Sequence, residues 1–117
     1  METDESWPSD WLRGVLSLAV LVILDREPAH GYAIASAIAD AGFGTVKGGT
    51  LYPLLLRLET AGHVEAQWLP GEGGPGRKVY ALTDDGRQHL DQQRERWAAF
   101  TTLTTALLEG SMTGDPR

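Results

Sequence analysis

The residues best suited to a binding role lie in one short stretch, GGTLYPLLLRLET at positions 48–60. Its leucines recur at helical spacing, which predicts a helix with one apolar stripe at positions 51, 54, 55 and 58. A helix this short is marginal alone in water, so the stripe is expected to dock on other elements. The outward face would then carry Thr50, Tyr52, Pro53 and Arg57, which suit entry into the major groove of DNA.

Arg57 is the main candidate on that outward face. An arginine can donate two hydrogen bonds to a guanine edge or simply hold a phosphate, and the sequence leaves both open. Leu56 also projects outward, where it would touch a thymine methyl group or pack against protein. The plain alternative for the whole face is an ordinary solvated helix surface.

A second basic group follows the glycine-rich segment PGEGGPG at positions 70–76. Arg77 and Lys78 suit phosphate or minor-groove contacts from a mobile hairpin, and the alternative is a strand edge protected by charge. Because strand residues alternate in direction, only one of the two is expected to touch DNA. Tyr32 and Lys47 fall at predicted helix starts and are candidate phosphate contacts, with half-buried packing as the alternative for Tyr32.

The remaining reactive side chains do not assemble into an enzyme. The chain has no cysteine, and its three histidines, His30, His63 and His89, are far apart without metal-ligand spacing. The segment at positions 71–76 lacks the Lys-Ser/Thr pair that a phosphate-binding loop places at a helix start. Asp84 and Asp85 are adjacent in a predicted first helical turn, where they complement the helix dipole. We therefore expect no catalysis, no cofactor and no metal.

The bulk composition fits a small protein with one modest core. The chain has 117 residues, 42% of them hydrophobic, and a formal net charge of −6. That charge argues against general coating of nucleic acid but leaves room for a local basic patch. The longest uncharged apolar run, between Arg13 and Asp25, is too short for a bilayer, and the N-terminus is acidic rather than signal-like. A cytoplasmic protein without a membrane partner is expected.

The elements that must position these residues can be predicted in order. Helices are expected at about 10–26, 32–41 and 48–61, strands at 64–69 and 77–82, and a long helix at 84–109. Gly42 should cap the second helix, Thr83 the last one, and Pro53 should fall in the first turn of the third helix. Positions 70–76 should form a flexible tip. This order is a winged helix-turn-helix, mainly α with a small β-hairpin.

Several motifs resemble the PadR family of bacterial transcriptional regulators. They occur in order and at compatible spacing, as LRG at 12–14, PAHGY at 28–32, GTLYPLL at 49–55, RLE at 57–59, Gly62, Trp68, GPGRK at 74–78, Tyr80, LT at 82–83 and Gly86. The resemblance implies a homodimeric repressor of the short branch, whose last helix crosses to the partner subunit. The implied organisation is an acidic flexible N-terminus (1–9), a winged helix-turn-helix domain (10–83), a C-terminal dimerisation helix (84–109) and a flexible tail (110–117).

The last helix carries an apolar seam that is typical of a core or a dimer interface. The dimerisation candidates are Leu12, Leu16, Leu90, Trp97, Phe100, Leu103, Thr104 and Leu107. Some short family members bind flat aromatic molecules at the dimer centre against a tryptophan, and Trp97 occupies the matching position. The candidate effector residues are Ser17, Leu18, His89, Gln93, Trp97 and Thr101. Their polar groups depart from a wide apolar pocket, so the ligand type stays open.

The sequence thus predicts a dimeric regulator that binds double-stranded DNA at an inverted repeat and responds to a small aromatic effector. A winged-helix module for protein–protein contact is the alternative, favoured by the net charge and by Leu56. A DNA-binding dimer without any effector, in which Trp97 is only structural, is a third interpretation.

Overall fold

The computed structural model describes residues 7–71 and 73–110, and within them the predicted order of elements is confirmed. The elements are α1 (Ser9–Arg26), β1 (Ala29–His30), α2 (Gly31–Ile38), a π-helical turn (Ala39–Phe43), α3 (Gly48–Thr60), β2 (Val64–Gly71), β3 (Gly74–Leu82) and α4 (Asp84–Leu108). The protein is mainly helical, with a small antiparallel sheet packed beside three helices. No helix in this part of the chain is long and apolar enough to cross a membrane.

One hydrophobic core joins the three short helices to the sheet and to the start of α4. The leucine stripe predicted for α3 is confirmed, since all four of its leucines are buried. Each such side chain contributes about 1.5–3 kcal/mol of transfer free energy, which holds a helix that could not persist alone. The core consists of Leu16, Val20, Leu21, Leu24, Ile34, Ile38, Leu51, Leu54, Leu55, Leu58, Val64, Tyr80 and Leu90.

The predicted position of Pro53 in the first turn of α3 is wrong. Lys47 is the N-cap, and its carbonyl accepts bonds from the N–H groups of Thr50 and Leu51, both at 2.9 Å. Because Gly48 and Gly49 are already helical, Pro53 lies in the second turn. A proline there has no N–H to donate to the carbonyl four residues earlier, which is that of the exposed Gly49.

The sheet is larger than the sequence predicts, with strand order β1-β3-β2. Positions 29 and 30, expected as part of a turn, pair with β3 as Ala29↔Tyr80 and His30↔Val79. The β2–β3 hairpin, which we call the wing, stays paired as far as Gly71↔Gly74, with a register irregularity before Gly71. The expectation of a flexible tip over 70–76 is therefore wrong in extent, because most of that segment is strand.

The predicted Thr83 cap is confirmed, whereas the helix that Gly42 was expected to cap ends earlier. α2 ends at Ile38 with Ala39 as its C-cap, and Gly42, with a left-handed φ of 105°, interrupts the π-helical turn that follows. The Thr83 hydroxyl accepts a bond from the Gly86 N–H at 2.9 Å and donates to the Gly62 carbonyl at 2.7 Å. The second bond ties the start of α4 to the end of α3, so the cap also fixes how the last helix leaves the domain.

The last helix is held by the core along its first half only. Leu90 is fully buried, and Arg87 forms an ion pair with Asp25 of α1 at 3.1 Å. Phe100, Leu103 and Leu107, nearer its C-terminal end, are 58%, 59% and 67% exposed in the single chain. The second half of α4 therefore carries an uncovered apolar strip.

The predicted flexible ends fall mostly outside the described residues. Residues 1–6 and 111–117 lie outside that range. Within the predicted N-terminal segment, Ser9 already belongs to α1, and the Trp7 indole N–H donates to the Gly42 carbonyl at 2.9 Å. This bond joins the start of the chain to the turn before α3.

Candidate nucleic-acid interface

An open groove of about 660 Å³ lies between the start of α2, the outward side of α3 and the wing. We call it the wing groove. It brings together four of the eight residues predicted to contact DNA, namely Tyr32, Tyr52, Arg77 and Lys78. Its full lining is His30, Gly31, Tyr32, Tyr52, Leu56, Glu59, Trp68, Gly76, Arg77, Lys78 and Tyr80.

The other four predicted residues lie on α3 and at its N-cap. Lys47, Thr50, Pro53 and Arg57 are all exposed and are not part of the lining of the wing groove. Within the described residues, no ion pair or side-chain hydrogen bond engages Arg57. Its guanidinium is therefore free to donate to a base edge or to a phosphate.

Tyr52 depends on a glycine beneath it. Gly31 is buried at the first position of α2, and a Cβ there would overlap the Tyr52 hydroxyl oxygen and lie 2.7 Å from its Cζ atom. The missing side chain thus lets the tyrosine ring lie across the start of α2. Tyr52 and Tyr32 both remain largely exposed, so their hydroxyl groups can serve as hydrogen-bond donors on this face.

His30 shapes the turn between α1 and α2, as its sequence position suggests. Its Nδ1 atom accepts a hydrogen bond from the Ala33 N–H at 3.3 Å, so the imidazole caps α2. Its ring also stacks on Tyr32, with 6.4 Å between centroids. These contacts give the histidine a structural role at the edge of the wing groove.

The two basic residues of the wing have different surroundings. Lys78 pairs across the strands with Trp68, whereas Arg77 pairs with Leu69, so the two side chains start from opposite faces of β3 although both residues line the wing groove. The Lys78 ammonium lies 3.8 Å from the Glu59 carboxylate and 5.7 Å from the centroid of the Tyr80 ring. Arg77 is exposed.

Sequence reasoning gave no role to Glu59 or Trp68, although both line the wing groove. Burial, and then the neighbouring Glu59 carboxylate, raise the pKa of the Tyr80 phenol above its ordinary value. The one signal that could have indicated a role for Trp68 is the strand register. Once the turn is known, that register places Trp68, Lys78 and Tyr80 on one side of the wing.

The six candidate effector residues are only partly brought together. His89 stacks on His63, with ring centroids 4.0 Å apart, and lies about 12 Å along α4 from Trp97 at 1.5 Å per residue. The Trp97 ring is tilted against Phe100, and the Thr101 hydroxyl donates to the Trp97 carbonyl at 3.0 Å. Ser17, Leu18 and Gln93 are half-buried.

Burial, and then the neighbouring His63, lower the pKa of His89 below its ordinary value. The stack brings His63, which lies between α3 and β2, against the last helix. His89 is thus already engaged with another side chain at the junction of the domain and α4.

The candidate dimerisation residues differ in how much surface they can offer. Leu16 and Leu90 are only 5% and 0% exposed within one chain, so they have little surface left for a partner. Leu12, Trp97 and Thr104 are half-buried, whereas Phe100, Leu103 and Leu107 form the uncovered strip of α4.

The fold has three helices followed by the wing, and the outer face of its third helix is exposed. This arrangement defines a winged helix-turn-helix protein of the transcription-regulator class. Residues 20–92 match the PadR-like family of transcriptional regulators, and the chain belongs to that family. The resemblance noted in the sequence is confirmed. The family consists of regulators, in agreement with the expectation that this protein is not an enzyme.

Solved structures support this assignment. A PadR family regulator from Eggerthella lenta is 38% identical, with a TM-score of 0.78, over 86% of this chain and 88% of its own. A PadR-like regulator from Bacillus cereus is 32% identical, with a TM-score of 0.75, over 91% and 99%. The transcriptional regulator YqjI of Escherichia coli is 35% identical over 71% of this chain, which spans only 39% of the length of YqjI.

Proposed function

We propose that this protein is a homodimeric repressor that binds an inverted-repeat operator through α3 and the wing. The observation that carries the proposal is the exposed outer face of α3, where Arg57 has no ion-pair partner among the described residues. The aromatic and basic residues of the wing groove continue that face toward the wing, where a DNA backbone would pass. A DNA operator as its partner would have the protein act in the cytoplasm, which is part of the proposal.

The uncovered strip of α4 supports the dimer. Phe100, Leu103 and Leu107 lie at helical spacing, and a second copy would bury them against the same strip or against the exposed side of α1. A two-fold dimer presents two α3 helices, which an inverted repeat matches when its half-sites lie roughly 34 Å apart, one turn of DNA.

The proposal also includes release of the operator by a small aromatic molecule. Trp97 lies half-buried beside Phe100, near the strip where two copies of α4 would meet. A flat ligand stacked there would change the angle between the two DNA-binding domains. It would act only if it bound the DNA-incompetent arrangement more tightly than the competent one.

The rival interpretation is a winged-helix module that binds protein. It is favoured by two exposed apolar side chains on this face, Leu56 and Trp68, and by the net charge of −6. Specific DNA binding that weakens with salt would separate the two interpretations, because a protein-binding module has no reason to discriminate between duplexes.

The decisive experiment titrates a duplex from the gene's own upstream region, and a random duplex of equal length, at several salt concentrations. Arg57→Ala should weaken binding to the upstream duplex by about 1–3 kcal/mol if the guanidinium reads a base. Arg94→Ala removes the same charge from an exposed position on α4 and should leave binding unchanged. Equal affinity of Arg57→Ala and the unaltered protein would contradict the proposal.

A further inference from the structure

The wing groove contains an acidic residue where a DNA-binding surface is expected to be basic. Glu59 lies in the last turn of α3, and its carboxylate is the partner of the Lys78 ammonium at 3.8 Å. The two side chains are 34% and 38% exposed. The ammonium is also 5.7 Å from the face of the buried Tyr80 ring, so it is directed toward the body of the domain.

This pair contributes little to folding. Half-exposed ion pairs are screened by solvent, and 3.8 Å is longer than a charge-assisted hydrogen bond. The core that surrounds Tyr80 already fixes the base of the wing. Stability alone therefore gives no reason to place a carboxylate in the wing groove.

The pair affects DNA binding because Glu59 engages a lysine that could otherwise contact a phosphate. A lysine that neutralises a phosphate releases a condensed counterion, which strengthens binding to every duplex regardless of sequence. A lysine held against Glu59 and Tyr80 does not make that contribution, and the carboxylate repels any phosphate that comes near. Both effects lower sequence-independent affinity without touching the bases that α3 would read.

We propose that Glu59 is a positioning residue that holds Lys78 inside the wing groove and so raises the discrimination between operator and random DNA. The inference rests on the proposed function and adds to it the residue that limits non-specific binding. Lys78 is then a restrained cation, and Arg77, which is exposed and has no ion-pair partner among the described residues, is the wing residue that reaches phosphate.

The test compares the unaltered protein with Glu59→Gln, Lys78→Met and the double variant, using the upstream and the random duplex over a salt series. Glu59→Gln should tighten binding to the random duplex several-fold. The slope of log affinity against log salt should steepen by about 0.9, the value for one added phosphate contact. The ratio of upstream to random affinity should fall. With Lys78→Met present, Glu59→Gln should leave the slope unchanged.

Glu65→Gln is the matched control, because it removes the same charge from an exposed position on the other side of the wing. It should leave both the slope and the ratio unchanged. The inference is overturned if Glu59→Gln behaves like Glu65→Gln, or if its change of slope persists when Lys78 is replaced. Thermal unfolding of each variant checks that the fold is intact, and neither side chain is part of the core.

Failure of the inference can be distinguished from failure of the proposed function. If the unaltered protein binds the upstream duplex and Arg57→Ala weakens it, an unchanged slope in Glu59→Gln overturns the inference alone. If the unaltered protein does not distinguish the two duplexes and Arg57→Ala has no effect, both are overturned.

Discussion

Replacing Gly86 with alanine should destabilise the protein, although the same change inside a helix usually stabilises. Gly86 is buried at the third position of α4. An added Cβ would overlap the His63 carbonyl oxygen and lie 2.8 Å from the Leu82 Cδ1 atom. That carbonyl cannot turn away easily, because it accepts a hydrogen bond from the Thr83 N–H at 3.1 Å.

The expected magnitude follows from three effects. Alanine in place of glycine stabilises a helix by roughly 0.5–1 kcal/mol. Overpacking against backbone costs about 1–3 kcal/mol, and displacing α4 also weakens the Thr83 cap, worth about 1 kcal/mol. The net loss is therefore about 2 kcal/mol, a large part of the 5–15 kcal/mol typical of a domain, and it should lower Tm by roughly 8 °C.

Urea and thermal unfolding at one fixed protein concentration measure this loss. Gly14→Ala is the matched control, because Gly14 lies inside α1, in its second turn, and a Cβ there would meet nothing within 4 Å. The free energy of unfolding of Gly14→Ala should rise by up to about 1 kcal/mol. A Gly86→Ala protein as stable as the unaltered one would refute the close contact between α4 and the His63 carbonyl.

Two further outcomes are expected. Since the pKa of His89 is lowered in the folded state, the unfolded state binds that proton more readily, and stability should be lost as pH falls through the ordinary value near 6.5. His89→Gln should flatten this part of the Tm–pH profile, and an unchanged profile would contradict the assignment. Leu103→Asp should shift the proposed dimer toward monomer in sedimentation because it charges the exposed strip of α4, whereas Thr102→Asp on the same helix serves as the control.

Features that depend on local periodicity could be predicted from the sequence. The four leucines of α3 and the Thr83 cap each follow from residues within a few positions of one another. The elements that form the site were therefore predictable, as was the exposure of Arg57. Pro53 was misplaced because a helix that begins at Gly48 has already completed its first turn when the chain reaches position 53.

Features that depend on distant residues could not be predicted in this way. A strand of two residues such as β1 has no period to detect, and it exists because β3 offers a free edge. The contacts Glu59–Lys78 and His63–His89 join residues that are far apart in the chain. Their meeting depends on the register of the wing and on the direction in which α4 leaves it.

The pairing of β1 with β3 also bears on the order in which the chain folds. Ala29↔Tyr80 closes a loop of about 50 residues, for which chain entropy alone costs about 3.5 kcal/mol. The few backbone bonds of so short a strand, at about 0.5–1.5 kcal/mol each, cannot offset that cost by themselves. We expect the helices and the wing to assemble first, and β1 to join once they have brought its partner near. The start of α2, beneath Tyr52, is then the place where folding is completed.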